Sequence, residues 1–278
     1  MNYLATHRDS AGGVVTRAQL ESFTYQGRQL KLIDQSRGIR NPVELRATLS
    51  VLSSPKGPYD DIETEDGLLR YAYRTGSPTG GDNRKLRRAA ELGVPLILLR
   101  AIDPGVFVPV FPVFVVGDDP VDRFVDIAVN ESLRYVPRGG SEDARRYADR
   151  LTRLRLHQPV FRARVLRAYA TACAICRLRH VDLLDAAHIL SDADGGQPVI
   201  TNGLSLCKIH HAAYDRGILA VRPDYTVEVR ADVLVESDGP MLRHGIQDVH
   251  DAPLVLPERR ADLPDRDLLA RRYATYVR

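Results

Sequence analysis

No run of about 18 apolar residues occurs anywhere in the sequence, so a membrane-spanning helix and a membrane partner are not expected. Met1 to Asp9 carries no apolar core of a secretion signal, and the expected compartment is the cytoplasm. Cysteine is scarce. There are three, Cys173, Cys176 and Cys207, and an odd count without a signal segment argues against a disulfide framework. Charge of one sign is also in short supply: 39 basic against 36 acidic residues leave only +3, a mild hint of a polyanionic partner. Internal repeats and low-complexity tracts are absent.

What is present is globular. The chain has 278 residues, 44% hydrophobic and 27% charged, enough for two domains. The small excess of positive charge is unevenly placed. Between Arg138 and Arg179 come Arg145, Arg146, Arg150, Arg153, Arg155, Arg162, Arg164 and Arg167. Arginine suits planar contacts to phosphate, and Arg162 and Arg164 are candidates for them. The competing reading is a solvated helix face paired with Glu142, Asp143 and Asp149.

The pattern along the chain is α+β. Gln29 to Ile33, Pro95 to Arg100 and Val106 to Val116 read as strands. Helices are expected from Asp82 to Leu92, stopped by Gly93, and from Thr16. Ser141 is an expected N-cap for a helix to about Leu156, and Pro159 opens the next. Three segments follow: a first domain over 1–136, a helical linker over 137–158, and a second domain over 159–278. Apolar residues and arginine pairs around Leu268 and Tyr273 have helical spacing, suited to a closing or dimer-forming helix.

Four residues have zinc-site spacing. Cys173-x-x-Cys176 is one pair and Cys207-x-x-His210 the second. Thiolates and imidazole are the donors zinc prefers, and four protein ligands leave no open position, so this zinc would be structural. The alternative is buried free thiols with a surface histidine.

Between the pairs lies A-A-H-I at 186–189, then N-G-L-S-L-C-x-x-H-H at 202–211 and Y-D-R-G at 214–217. This segment, from about Tyr169 to Val229, resembles the restriction-type subgroup of the HNH (ββα-metal) endonucleases. The resemblance implies a zinc-stapled nuclease domain cutting DNA with a divalent ion, Mg²⁺ or Mn²⁺. It implies His188 as general base, His211 as a ligand of the catalytic metal, and Asn202 as the central residue that holds the hairpin or orients the base. Asn202 before Gly203 also suits a tight turn. Many relatives place an acid directly before the base, where this chain has Ala187. Asp185, two residues earlier on the same strand face, is the proposed second metal ligand; the alternative is that it orients a neighbour. Asp215 is a third carboxylate in reach, with a salt bridge to Arg216 as its alternative. His180 follows Arg179 in an apparent loop and is expected to be exposed.

In the first half, Pro58-Tyr59-Asp60-Asp61 precedes Arg70-Tyr71-Ala72-Tyr73-Arg74-Thr75-Gly76, then Gly80-Gly81-Asp82-Asn83-Arg84-Lys85. This order resembles the SRA (YDG) family, a PUA-like β-barrel that reads modified cytosine. The resemblance implies base flipping into a pocket with Tyr59, Tyr71 and Tyr73 as candidate walls and Asp61 as amine acceptor. Tyr59 directly precedes the paired acids, where the family has an intervening residue. Tyr71 and Tyr73 alternate to one side of a strand, so either suits a core position equally. Arg84 and Lys85 are candidate phosphate contacts at the start of a helix.

Together these point to a modification-dependent endonuclease acting on double-stranded DNA with 5-methyl- or 5-hydroxymethylcytosine. One nuclease centre per chain suggests a homodimer, or two nicks in succession. Two other readings stay open: a nuclease whose first half reads unmodified sequence, another modification or a partner protein, and a zinc-stabilised DNA-binding protein without catalysis.

Overall fold

The computed structural model describes residues 1–54, 62–64, 66–135 and 141–276. Tyr59, Asp61 and the expected linker start at 137–140 lie outside the described residues. The chain divides into two compact units, Met1–Val160 and Phe161–Arg278.

The first unit opens with α1 (Asn2–Ser10), β1 (Val15–Thr16) and α2 (Arg17–Ser22). Thr16 caps α2 through a reciprocal pair of bonds with Gln19, which satisfies two backbone donors the helix cannot. A small hairpin follows, β2 (Thr24–Tyr25) with β3 (Arg28–Gln29), then β4 (Ile39–Arg40), β5 (Ser50–Ser53), β6 (Ile62–Glu63) and β7 (Leu69–Ala72). The helix α3 (Gly81–Leu92) ends at Gly93, whose φ of 59° is the left-handed conformation that glycine adopts without penalty. Next come β8 (Leu96–Asp103), β9 (Val106–Asp119) and β10 (Phe124–Ala128).

Apart from the β2–β3 hairpin, these strands form one mixed sheet in the order β4-β5-β8-β9-β10-β7-β6, with β1 added on β9. Only β5 and β8 pair in parallel among the registers along this path; the others are antiparallel. Strand β8 explains why its sequence is a continuous apolar run. Leu96 and Leu98 face one buried cluster, which holds Leu86 and Ala89 of α3. Ile97 and Leu99 face another, which holds Leu4 of α1 and Leu20 of α2. A strand covered on both faces has no polar positions to alternate with.

Two expectations are corrected here. Among the described residues the sheet is an open path, not a closed barrel, because its ends β4 and β6 are two-residue strands that pair only inward. The strand expected over Gln29 to Ile33 shrinks to Arg28–Gln29. Leu32 and Ile33 are buried as loop, with the Leu32 amide bonded to the Leu20 carbonyl instead of a neighbouring strand.

Ser141 caps α4 (Glu142–Thr152), one turn of wider π geometry covers Arg153–His157, and α5 (Gln158–Ala168) follows directly. Helix α4 packs within the first unit against Gly67: a Cβ there would meet the Ala148 backbone at 2.8 Å, and the Thr152 hydroxyl donates to the Gly67 carbonyl at 2.7 Å. The second unit is built from short pieces: β11 (Leu184–His188), β12 (Gly203–Cys207), α6 (Lys208–Asp215), β13 (Leu219–Val221), β14 (Val227–Val229), α7 (Ala231–Leu234), α8 (Pro240–Gly245) and α9 (Arg266–Tyr276). The last of these is the helix expected around Leu268 and Tyr273, and it buries Leu269 in the core of this unit. No helix among the described residues is long and apolar enough to cross a membrane.

Candidate functional site

The second unit brings two groups of chemistry-bearing side chains onto one ββα frame. Strands β11 and β12 pair antiparallel, Leu184 opposite Cys207 and His188 opposite Gly203, and α6 begins at the next residue. Helix α5 packs on this hairpin. A Cβ on Gly203 would meet Val165 at 2.4 Å and Phe161 at 3.0 Å, so glycine here permits the close approach.

The first group is Cys173, Cys176, Cys207 and His210, whose donor atoms all lie within 4.8 Å of one another. Cys173 sits in a tight turn in which the Arg177 amide bonds back to the Cys173 carbonyl. The Ala174 amide ties that turn to Ser205 of β12. His210 Nδ1 stands 3.4 Å from Cys173 Sγ and 3.2 Å from Cys207 Sγ, and the Cys176 and Cys207 sulfurs are 3.9 Å apart. Zinc bonds of about 2.3 Å to sulfur and about 2.0 Å to nitrogen imply tetrahedral edges of roughly 3.5–3.8 Å. The donor set and its spacing therefore fit a tetrahedral metal ion. His210 Nε2 lies 2.7 Å from the Gly245 carbonyl, and donation there leaves Nδ1 as the ligand atom. Burial disfavours a charged His210, yet the Cys173 and Cys207 sulfurs outweigh it and push the imidazole up to about 10. The bonds of Cys176 and Cys207 to the Cys173 sulfur hold that thiol far below its usual range. The raised imidazole reflects thiolate charge beside it, and the lowered Cys173 reflects hydrogen bonds donated to its sulfur.

The second group surrounds His211, one turn into α6. Its Nδ1 is 3.2 Å from Asp185 Oδ2 and its Nε2 is 3.3 Å from Asp215 Oδ2. The other oxygen of Asp185 is 2.6 Å from Lys208 Nζ. Burial would raise the Asp185 carboxyl, but the bonds from Lys208 and His211 win and hold it below the usual carboxylate range. Imidazole and carboxylate donors of this kind suit a hard divalent ion.

His188 ends β11. Its ring lies flat on Phe161, 4.0 Å between centroids with the planes 13° apart. Its Nε2 is buried without a hydrogen-bond partner, and Asp192 Oδ1 stands 3.9 Å away. Burial lowers the imidazole below its ordinary value; Asp192 opposes this and His211 adds to it. Asn202 is fully buried. Its Oδ1 accepts from the Leu190 amide at 2.9 Å, and its Nδ2 donates to the carbonyls of Leu190 at 3.0 Å and Gln197 at 2.9 Å. Asn202 thus ties off the loop between β11 and β12. At Gly196 the loop passes so close that a Cβ would fall 1.9 Å from the Leu190 carbonyl oxygen.

The remaining sequence candidates fall in different places. His180 is exposed, 4.0 Å from Asp182. Arg162 donates to the carbonyls of Val181 and Leu184, tying α5 to the start of β11, and Arg164 is half-buried on the same helix. Arg84 is exposed on α3, whereas Lys85 turns its ammonium onto the Pro42 carbonyl. Tyr73 is a core residue, 2% exposed, its hydroxyl held by Asp118, which is itself bound by Arg87 at 2.6 Å. Tyr71 is buried in the same cluster, 6% exposed; its hydroxyl bonds toward the Gly38 and Leu52 carbonyls, and the residue also lines a cavity of about 380 Å³. Asp34, Ser36, Arg37, Leu52 and Arg74 share that cavity. Asp34, Arg37 and Lys208 were not singled out from sequence, because each gains meaning only through a partner distant in the chain.

No curated protein sequence matches the chain. Among solved structures, a "Modification dependent TagI restriction endonuclease" overlays with a TM-score of 0.31 at 16% identity, over 87% of this chain and 86% of that one. The "Type IV phosphorothioation-dependent restriction endonuclease ScoMcrA" overlays at 0.21 and 18% identity, over 59% of this chain and 48% of that one. Residues 173–222, which hold the Cys–His cluster, His188, Asn202 and His211, match the family model described as "HNH endonuclease", and this segment of the chain is an HNH endonuclease domain.

Proposed function

We propose that the chain is a metal-dependent DNA endonuclease whose second unit cuts and whose first unit selects DNA carrying a modified cytosine. The observation that carries the reading is His188: a histidine on the ββα frame with its Nε2 buried, unpartnered and biased toward the neutral form. A general base for water needs that lone pair and that protonation state at neutral pH. His188 Nε2 takes the proton, and the flat contact with Phe161 holds the ring in position. His211 and Asp185, with Asp215 beside them, are the residues that would hold a divalent ion such as Mg²⁺ or Mn²⁺. When bound, that ion supplies charge neutralisation on the scissile phosphate and its leaving oxygen. Asn202 acts by fixing the loop that follows His188. Cys173, Cys176, Cys207 and His210 would hold a zinc ion that staples the frame. Two cuts from one centre per chain call for a homodimer or successive nicks.

For selection, support comes from the sequence likeness to the SRA family and from the Tyr71 cavity, whose volume suits a nucleobase. Tyr73 is sealed in the core, so a sandwich made by both tyrosines is not available. That favours, as a second reading, a first unit that recognises a different modification.

The test is cleavage of matched duplexes, unmodified against 5-methylcytosine and 5-hydroxymethylcytosine, with Mg²⁺ or Mn²⁺, by the parent and His188→Ala. Cutting confined to modified DNA is expected, reduced about 10²-fold or more in the variant. Cutting that ignores cytosine modification would keep the nuclease and discard the reader. Absence of cutting on every substrate would leave a zinc-stabilised binding protein.

A further inference from the structure

Lys208 opens α6 directly after the last strand of the hairpin, and it reaches back across to Asp185 on β11. The two oxygens of Asp185 are thus divided: Oδ1 goes to the Lys208 ammonium at 2.6 Å and Oδ2 to His211 at 3.2 Å. Asp185 is fixed by its strand and its side chain is 24% exposed, whereas that of Lys208 is 55% exposed on a flexible four-carbon stem. One partner is anchored and the other is free to swing into water. An ammonium at this distance does two things to a carboxylate. It keeps the group ionised and aimed, and it sets a positive charge and a claim on the carboxylate's electron density beside the oxygen that faces His211.

We propose that Lys208 is a built-in counter-cation of the His211–Asp185 centre, competing with the divalent ion for Asp185 and so setting the metal concentration at which the centre fills. This rests on the metal-centre reading given above. A single positive charge beside a divalent ion repels it even after solvent screening, and displacing the ion pair adds to the cost. The lysine therefore acts as a threshold: at low divalent concentration the carboxylate is held by the chain's own ammonium and the centre stays empty. A nuclease gains from that arrangement, since filling is then tied to conditions under which metal is abundant.

The experiment is Mn²⁺ binding to the zinc-loaded full chain without DNA, followed by electron paramagnetic resonance and titration calorimetry, in the parent, Lys208→Met, Lys208→Arg and His211→Ala. Lys208→Met is expected to bind Mn²⁺ about three- to tenfold more tightly, the range a screened charge pair supports. Lys208→Arg keeps the charge and is expected to stay near the parent. Half-saturating Mn²⁺ for cleavage is expected to fall with the binding constant. Because Lys208 is half-exposed, unchanged thermal melting should show that the fold is intact. Unchanged or weaker Mn²⁺ binding in Lys208→Met, with binding in the parent lost in His211→Ala, would overturn the competition while leaving the metal centre standing. No Mn²⁺ binding sensitive to His211→Ala would remove the centre itself, and the inference with it.

Discussion

The two units solve the same problem, closing a core, in opposite ways. The first relies on the hydrogen-bonded ladder of a single sheet. Its longest strand, Val106–Asp119, pairs with β1, β8 and β10, and each face of the sheet is sealed by its own helices. Among the described residues the second has only two-stranded pieces, β11 with β12 and β13 with β14, and isolated pairs of this size are marginal in water. Its buried cluster includes Cys173 and Cys207 themselves. A metal ion at those residues would be a cross-link inside the core. The difference teaches that the second unit is held by side-chain chemistry and the first by backbone pairing.

The sharpest way to break that comparison is to remove the metal. Chelation, or Cys207→Ser, is expected to unfold the second unit while the first keeps its fold, because structural zinc supplies on the order of 10 kcal/mol of folding free energy in small modules. Limited proteolysis and a two-step thermal melt would report it: cleavage confined to 161–278, with the first transition unchanged. Resistance of both units to chelator would mean that the short hairpins are self-sufficient and that the comparison is wrong.

A smaller effect follows from Asn202. Its three bonds to Leu190 and Gln197 are buried, so Asn202→Ala leaves those backbone groups without these partners and is expected to cost about 2–4 kcal/mol in urea unfolding of the second unit. Asn202→Asp should not rescue it, because a carboxylate would face two carbonyl oxygens. A loss below about 0.5 kcal/mol would mean the loop relaxes around the gap, and that the frame tolerates defects as a sheet does.

This contrast also explains what could be read from the sequence. The Cys–His cluster was legible because its donors come in two pairs three residues apart, and turn geometry alone brings each pair together. The placement of His188, Asn202 and His211 on one frame was legible because one short hairpin and one helix turn carry them. The end of α3 at Gly93 was legible because the left-handed cap is a local requirement. Long-range pairings were not. Lys208 meets Asp185 only through the β11–β12 register, and the Tyr71 cavity joins Asp34 and Arg37 to Arg74 from separate segments. The barrel failed because closure depends on the two sheet ends meeting, and no local pattern states that. Tyr71 and Tyr73 illustrate the limit: a two-residue period places both on one buried face, as found, but does not tell that Tyr71 also borders a cavity.

The smallest effect is a separation in pH between the units. His188 is held below its ordinary value, chiefly by burial, so the neutral base persists below about pH 6.5, the unperturbed imidazole value. As pH falls through that lowered value the ring takes up its proton, and cleavage should then drop about tenfold per pH unit. The linkage to stability has the same sign: the unfolded chain binds this proton more readily than the folded one, so acid also weakens the second unit. On the proposed reading, DNA selection by the first unit depends on none of these groups. Retention of modified duplex on the full chain should therefore persist through the pH range in which cleavage declines. Parallel loss of binding and cleavage would show that the acid limb belongs to recognition, and the depressed His188 would then have no part in the pH dependence.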